Sequence, residues 1–279
     1  MDLCDYRQLK ALLEEEGFHF SKSKGQNFLV ARWVPERIAD ESGVGPGDGV
    51  VEIGPGVGCL TEQLARRADK VLAYEVDNAL RPVVARTLGD YDNVEIVFAD
   101  AMGRDLAADG AEKLPGLRLH VCANLPYNIT SPVLTKLYQA RCFESITVMV
   151  QKEVARRMCA KAGDSDYSAF SLLTQWYAQP EMLFTVGPEC CMPRPKVTSA
   201  VVRLQMRSQP PVQVDEKALF RVIRAAFNQR RKTLSNALEG ICGRDRAAQA
   251  IAACGFDPRV RGEALTLEQF AQLTERLGL

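Results

Sequence analysis

The chain has 279 residues, enough for about two domains of roughly 150 residues and a sizeable core. Hydrophobic residues make up 47% and charged residues 25%, and 35 basic residues balance 35 acidic ones. These values exclude a disordered chain, and the absence of an apolar run near 20 residues excludes a membrane-spanning helix. Asp2, Asp5 and Glu14–Glu16 interrupt the N-terminal region, so no secretory leader is expected there.

Strand-like and helix-like runs alternate through the first two-thirds. Gly49–Ile53, Lys70–Val76, Asn93–Ala99, Leu117–Ala123 and Ser145–Val150 are apolar and rich in Val and Ile. Helical stretches over Leu60–Arg67, Asn78–Leu88, Pro132–Ala140 and Lys152–Lys161 separate or follow them. That alternation predicts an α/β fold with a mostly parallel sheet covered on both faces. Ser199–Met206 reads as a late strand, at a sheet edge or added antiparallel.

Composition changes at Ser208-Gln209-Pro210-Pro211, after which no strand signal remains. Helices are predicted over Asp215–Ala226, Lys232–Leu238, Arg244–Cys254 and Thr266–Leu277. Thr266 followed by Gln269 fits a capping box. The expected organisation is a catalytic domain over 1–207, including an N-terminal extension, and a small all-helical domain over 208–279.

Nine cysteines and two histidines show no C-x-x-C pair or clustered ligand spacing, so neither a metal site nor a disulfide framework is expected. Free thiols point to a reducing cytoplasm.

The first strand ends in Glu52-Ile53-Gly54-Pro55-Gly56-Val57-Gly58 and enters a helix. Glycine lets the backbone turn sharply and approach a ligand, and the helix start adds partial positive charge. A dinucleotide turn reads G-x-G-x-x-G, but Cys59 occupies its last position. An acidic residue before G-x-G-x-G instead resembles the turn of S-adenosylmethionine (SAM) methyltransferases. Glu75, at the end of the second strand, can accept both ribose hydroxyls. Asp100, at the end of the third, can accept from the adenine amino group. Doubly wound folds bind ligands at these carboxyl ends.

The fourth strand ends in Asn124-Leu125-Pro126-Tyr127. The exocyclic nitrogen of adenine is a poor nucleophile because its lone pair is delocalised. Hydrogen bonds to the Asn124 side-chain oxygen and to the Leu125 or Pro126 carbonyl would aim that lone pair at a methyl donor. Proline fixes the backbone there, and Tyr127 can stack on an extruded base.

These motifs resemble the ribosomal RNA adenine N6,N6-dimethyltransferase family. Lys24-Gly25-Gln26-Asn27-Phe28-Leu29 is similar to its entry motif, whose Asn and Leu border SAM. Asp100-Ala101-Met102, Gln151–Arg157, Pro193–Val201 and Phe227–Leu234 match further segments, so the likeness runs from about residue 20 to the C-terminus. It implies a Rossmann-like SAM-dependent methyltransferase sheet with a helical C-terminal domain. SAM would be held by Asn27, Leu29, Gly54, Gly56, Glu75, Asp100 and Asn124, and the amine by Asn124, Leu125, Pro126 and Tyr127. The implied reaction is dimethylation of two adjacent adenines near the 3′ end of 16S rRNA. The implied partner is an immature small ribosomal subunit, met by a monomer that needs neither metal nor membrane. One position departs from the pattern: Cys191 stands where the family carries a Phe that stacks opposite the Tyr.

Charge is uneven despite neutrality. Between Cys190 and Leu238 lie ten basic residues, among them Arg194 and Lys196, and only two acids, Asp215 and Glu216. Arg221, Arg224, Arg230, Arg231 and Lys232 are candidate RNA contacts, extended by Lys22, Lys24, Arg156 and Arg157. Three other readings are a 23S rRNA adenine methyltransferase of macrolide-resistance type, a nicotinamide oxidoreductase, and a non-catalytic RNA-binding assembly factor. Phe227–Thr233 and Leu125 oppose the first. Cys59 and the N-L-P-Y turn oppose the second. The intact tetrapeptide opposes the third.

Overall fold

A computed structural model describes residues 1–21 and 25–279. Lys22 and Lys24, including the first residue of the entry motif, lie outside the described residues. In chain order the first elements are α1 (Tyr6–Glu15), β1 (Phe28–Leu29), α2 (Trp33–Ser42), β2 (Asp48–Ile53), α3 (Cys59–Ala65), β3 (Lys70–Tyr74), α4 (Arg81–Leu88), β4 (Val94–Val97), α5 (Leu106–Lys113), β5 (Arg118–Asn124), α6 (Thr130–Ala140) and β6 (Ser145–Gln151). Then come α7 (Lys152–Cys159), α8 (Ala169–Tyr177), β7 (Ala178–Val186), β8 (Cys191–Met192) and β9 (Ser199–Met206). Five helices follow: α9 (Glu216–Asn228), α10 (Leu234–Ala237), α11 (Glu239–Cys242), α12 (Arg244–Ala253) and α13 (Leu267–Leu277).

Seven strands form one sheet in the order β4-β3-β2-β5-β6-β9-β7. The strands from β4 to β6 run parallel, and β9 joins β6 antiparallel. Every residue of β2 is buried, Asp48 and Glu52 included, which explains its Val- and Ile-rich reading. Ser199–Met206 is therefore the antiparallel addition and not the edge, because β7 lies beyond it. Pro180 within β7 suits that outer position, where a missing N–H costs no ladder bond. Strand order reverses at β2, with β3 on one side and β5 on the other, and the loops after these strands make the site.

The sequence reading omits α1, β1, α2, α5, α8, β7, β8 and α11. In α1 the buried Leu9, Leu12 and Leu13 carry a helical spacing, and Asp5 caps its first turn. The stretch through α8 and β7 is an apolar run in which a buried helix and a strand look alike.

The chain forms two compact units, one of Met1–Ala155 with Glu181–Met206 and the other of Arg156–Pro180 with Arg207–Leu279. This corrects the single boundary at 207/208. Arg156–Pro180 packs with the C-terminal helices because its large side chains find partners there. The Tyr167 hydroxyl donates to the Leu265 carbonyl at 2.9 Å, and the Trp176 ring meets Phe220 edge-on at 5.9 Å. The helical unit contains the Thr266–Gln269 capping box, with Thr266 N–H donating to Gln269 Oε1 at 2.9 Å. Among the described residues, no helix is long and apolar enough to cross a membrane.

Candidate active site

Backbone geometry at the end of β2 demands glycine. Gly54, Gly56 and Gly58 have φ of 73°, 58° and 96°, a region that L side chains rarely adopt. A Cβ on Gly58 would also lie 2.9 Å from the Leu88 side chain. One on Gly54 would meet nothing within 4 Å, because Gly54 faces an open cleft. The Cys59 thiol, next in the chain, is within 3.3 Å of the Leu3 and Leu29 carbonyls.

The cleft has a volume of about 290 Å³. It gathers Asn27, Leu29, Gly54, Gly56, Glu75, Asp100, Asn124, Leu125 and Pro126, all singled out from sequence, on one lining. Tyr127 lies outside that lining. The structure adds Val76 and Met102, which the candidate site residues omit. They are 55% and 36% exposed yet apolar, and both line the cleft. Their signal in the sequence is weak: each is one apolar residue within two positions after a carboxylate.

Glu75 is buried and held in place by backbone donors. Gly56 N–H donates to Oε2 at 3.2 Å and Asp77 N–H to Oε1 at 2.8 Å. Burial pushes its carboxyl upward, while the N–H groups of Asp77, Gly56 and Val76 favour the charged form. Glu52, deeper in the cleft wall, is pushed up to about 8 by burial; the neighbouring Thr61 hydroxyl opposes this and the Glu75 charge adds to it. Glu52 is thus mostly neutral at pH 7, and a cation entering the cleft would favour its ionisation. Asp100 uses one oxygen to accept from Met102 N–H at 2.8 Å.

The 25–29 segment closes one side. Gln26 Nε2 donates to Asp77 Oδ2 at 2.7 Å, which ties this segment to the Glu75 turn. Phe28 and Leu29 pair with Met192 and Cys191, so the entry motif and the segment before P-R-P form a small sheet of their own. Cys191 is buried, and burial pushes its thiol up to about 12.

At the end of β5, Asn124 Nδ2 donates to the Asn27 carbonyl at 2.8 Å. This fixes the amide so that its oxygen remains to accept. The Pro126 carbonyl already accepts from Ile129 N–H at 3.2 Å and from the Thr130 hydroxyl at 3.1 Å. Among the described residues no such bond occupies the Leu125 carbonyl. Of the two carbonyls that the sequence leaves open, Leu125 is the one available to an amine.

The described candidate RNA residues, Arg156 and Arg157 included, lie in the helical unit. Arg221 and Arg224 project from the exposed side of α9, and Arg231 and Lys232 follow it, also exposed. Arg230 differs from them: it is ion-paired with Glu263 at 2.7 Å and donates to the Ser165 carbonyl at 2.7 Å. Its charge is already engaged within the protein.

With this geometry in place, comparison with known proteins gives a consistent result. The profile of the family described as Ribosomal RNA adenine dimethylase matches residues 17–278. The chain belongs to that family. A protein of Geobacillus thermodenitrificans named Ribosomal RNA small subunit methyltransferase A is 45% identical, over 99% of this chain and 97% of its own length. Its namesake from Alkaliphilus oremlandii is 41% identical, over 97% and 96%. Among solved structures, the 23S rRNA methyltransferase ErmE shares 28% identity with a TM-score of 0.71, covering 91% of this chain and all of the other. A dimethyladenosine transferase from Plasmodium falciparum, at 24% identity and a TM-score of 0.72, shares the fold over 88% of this chain and 97% of its own. The family's Rossmann-like methyltransferase architecture agrees with the doubly wound sheet and helical C-terminal region.

Proposed function

We propose that this chain uses S-adenosylmethionine to dimethylate N6 of two adjacent adenines near the 3′ end of 16S rRNA. It would act as a cytoplasmic monomer on an immature small ribosomal subunit, as a step in ribosome biogenesis. The observation that carries this reading is the Asn124–Leu125 corner. It brings two acceptors that have no donor among the described residues, Asn124 Oδ1 and the Leu125 carbonyl, to the same cleft that holds Glu75 and Asp100.

The lining fits the cofactor. Glu75, already oriented by backbone N–H groups, is placed to accept ribose hydroxyls, and Asp100 retains an oxygen for the adenine amine. Val76 and Met102 offer apolar contact to the ring. Asn27 and Leu29 close the other side. When bound, the cofactor supplies an electrophilic methyl on a sulfonium. Glu52 and Glu75 would balance that positive charge.

The chain's own part in the chemistry is positioning. Asn124 Oδ1 and the Leu125 carbonyl would accept from the amine, weaken its conjugation and point its lone pair into the cleft. Pro126 holds the turn, and its carbonyl is bound by Ile129 and Thr130. Tyr127 would stack on the base.

The relatives named for the small subunit are 41–45% identical, against 28% for the 23S enzyme, which supports the small-subunit substrate. The deciding experiment is transfer of labelled methyl to immature small subunits and, in parallel, to 23S rRNA, with the product located by mass spectrometry of the rRNA. Two dimethylated adenines near the 3′ end of 16S rRNA are expected. Label in 23S rRNA, or none, would overturn the assignment.

Glu75→Ala is expected to weaken SAM binding by about 1–3 kcal/mol, the scale for losing hydrogen bonds to a charged group and leaving donors unpaired. Calorimetry checks this, and an unchanged affinity would remove Glu75 from the ribose site.

A further inference from the structure

The Tyr127 ring is held at both ends. Its backbone belongs to the turn between β5 and α6. Its phenolic oxygen lies 2.6 Å from Ser199 Oγ, 72 residues along the chain. Ser199 is only 1% exposed and is the first residue of β9. It stands opposite Gln151, the last residue of β6, in an antiparallel register. The hydroxyl pair therefore ties a turn to the sheet.

A stacking ring helps catalysis only if its plane is set before the base arrives. Orientation fixed in advance lowers the barrier, and small misplacements cost rate. A second aromatic could set that plane by sandwiching the base, but the residue near Tyr127 that resembles the family's second stacking position is Cys191, a thiol. Tyr127 itself is half-buried, and among the described residues the polar anchor of its ring is the Ser199 hydroxyl.

We propose that Ser199 is a positioning residue, which fixes the plane of the Tyr127 ring through the hydroxyl pair and so presents a preset surface to the target adenine. This rests on the reading of Asn124–Tyr127 as the amine-holding turn. Ser199 touches neither base nor cofactor in this scheme and acts only through the phenol.

A double-mutant cycle tests it, using the full-length protein, saturating SAM and single-turnover methyl transfer to immature small subunits. Ser199→Ala and Tyr127→Phe each delete the same hydrogen bond, from opposite sides. Tyr127→Phe keeps the stacking ring and leaves β9 untouched, so the test survives if Ser199→Ala folds poorly. Each single variant is expected to slow transfer by about tenfold, the rate equivalent of one hydrogen bond. The double variant should be no slower than either. Ser199→Thr, which keeps the hydroxyl, should stay within about twofold of wild type. Subunit affinity should not change, which a loss of folded structure would not allow.

Transfer at the wild-type rate by Tyr127→Phe overturns the proposal, as does a double variant slowed by the product of the two single effects. Tyr127→Ala separates this from the parent reading. If it too transfers methyl at the wild-type rate, the stacking role of Tyr127 falls, and the Ser199 proposal with it. If Tyr127→Ala is slow while Tyr127→Phe and Ser199→Ala are not, only the Ser199 proposal falls.

Discussion

Asn124→Ala is expected to lower the rate of methyl transfer by roughly 10²–10³, or about 2.7–4 kcal/mol of barrier, by analogy with a lost oxyanion-hole donor. Binding of the RNA should change little, because its affinity comes mainly from phosphate contacts elsewhere. Asn124 Nδ2 is committed to the Asn27 carbonyl, and in the proposed reading Oδ1 is the atom that accepts from the amine. The Pro126 carbonyl is occupied by Ile129 and Thr130, which leaves Leu125 as the second acceptor. Removing Asn124 also releases the 25–29 segment, so cofactor affinity should fall as well. Single-turnover transfer must therefore be measured at saturating SAM, where binding drops out and only the chemical step is read. A variant that transfers methyl at the wild-type rate under those conditions would mean that other groups position the amine.

The parts of this molecule legible in the sequence are those where one local pattern has one structural meaning. β2 and β6 are buried along almost their whole length, so their apolar runs mark them to within one or two residues. Asn124 ends a parallel strand, Glu75 follows one directly and Asp100 follows β4 by three residues, so chain order alone places them on one rim. What could not be read depends on distant partners. Nothing local to Arg156–Pro180 says that its helices join the C-terminal core, because the buried Tyr167 finds its acceptor only at Leu265, 98 residues on. The choice between the Leu125 and Pro126 carbonyls depends on Thr130, whose hydroxyl has several possible local acceptors. Arg230 looks like its basic neighbours until Glu263, 33 residues later, is seen to pair with it. Local chemistry thus identified the cleft residues, while tertiary pairing decided which of their atoms remain free.

That pairing also determines how the basic face should be tested. Neutralising Arg230 would break an ion pair and a bond to the Ser165 carbonyl, mixing stability with RNA affinity. Arg221, Arg224, Arg231 and Lys232 are exposed and, among the described residues, have no ion-pair partner. Changing these four to Gln leaves Arg230 in place, and Gln keeps good helix propensity on α9. If each of the four meets one phosphate, the variant should lose about 2.8–3.6 units of slope in a plot of log affinity against log salt. Raising salt from about 50 to 200 mM would then weaken the wild type by roughly 50- to 150-fold more than the variant. Small-subunit binding measured across that range checks this, with SAM affinity expected to remain constant. Four solvated charges on α9 and its following turn with no RNA partner would give a different result: equal slopes for variant and wild type. That outcome would move the RNA path away from α9 and its following turn, and toward the exposed Arg194 and Lys196 beside the P-R-P segment.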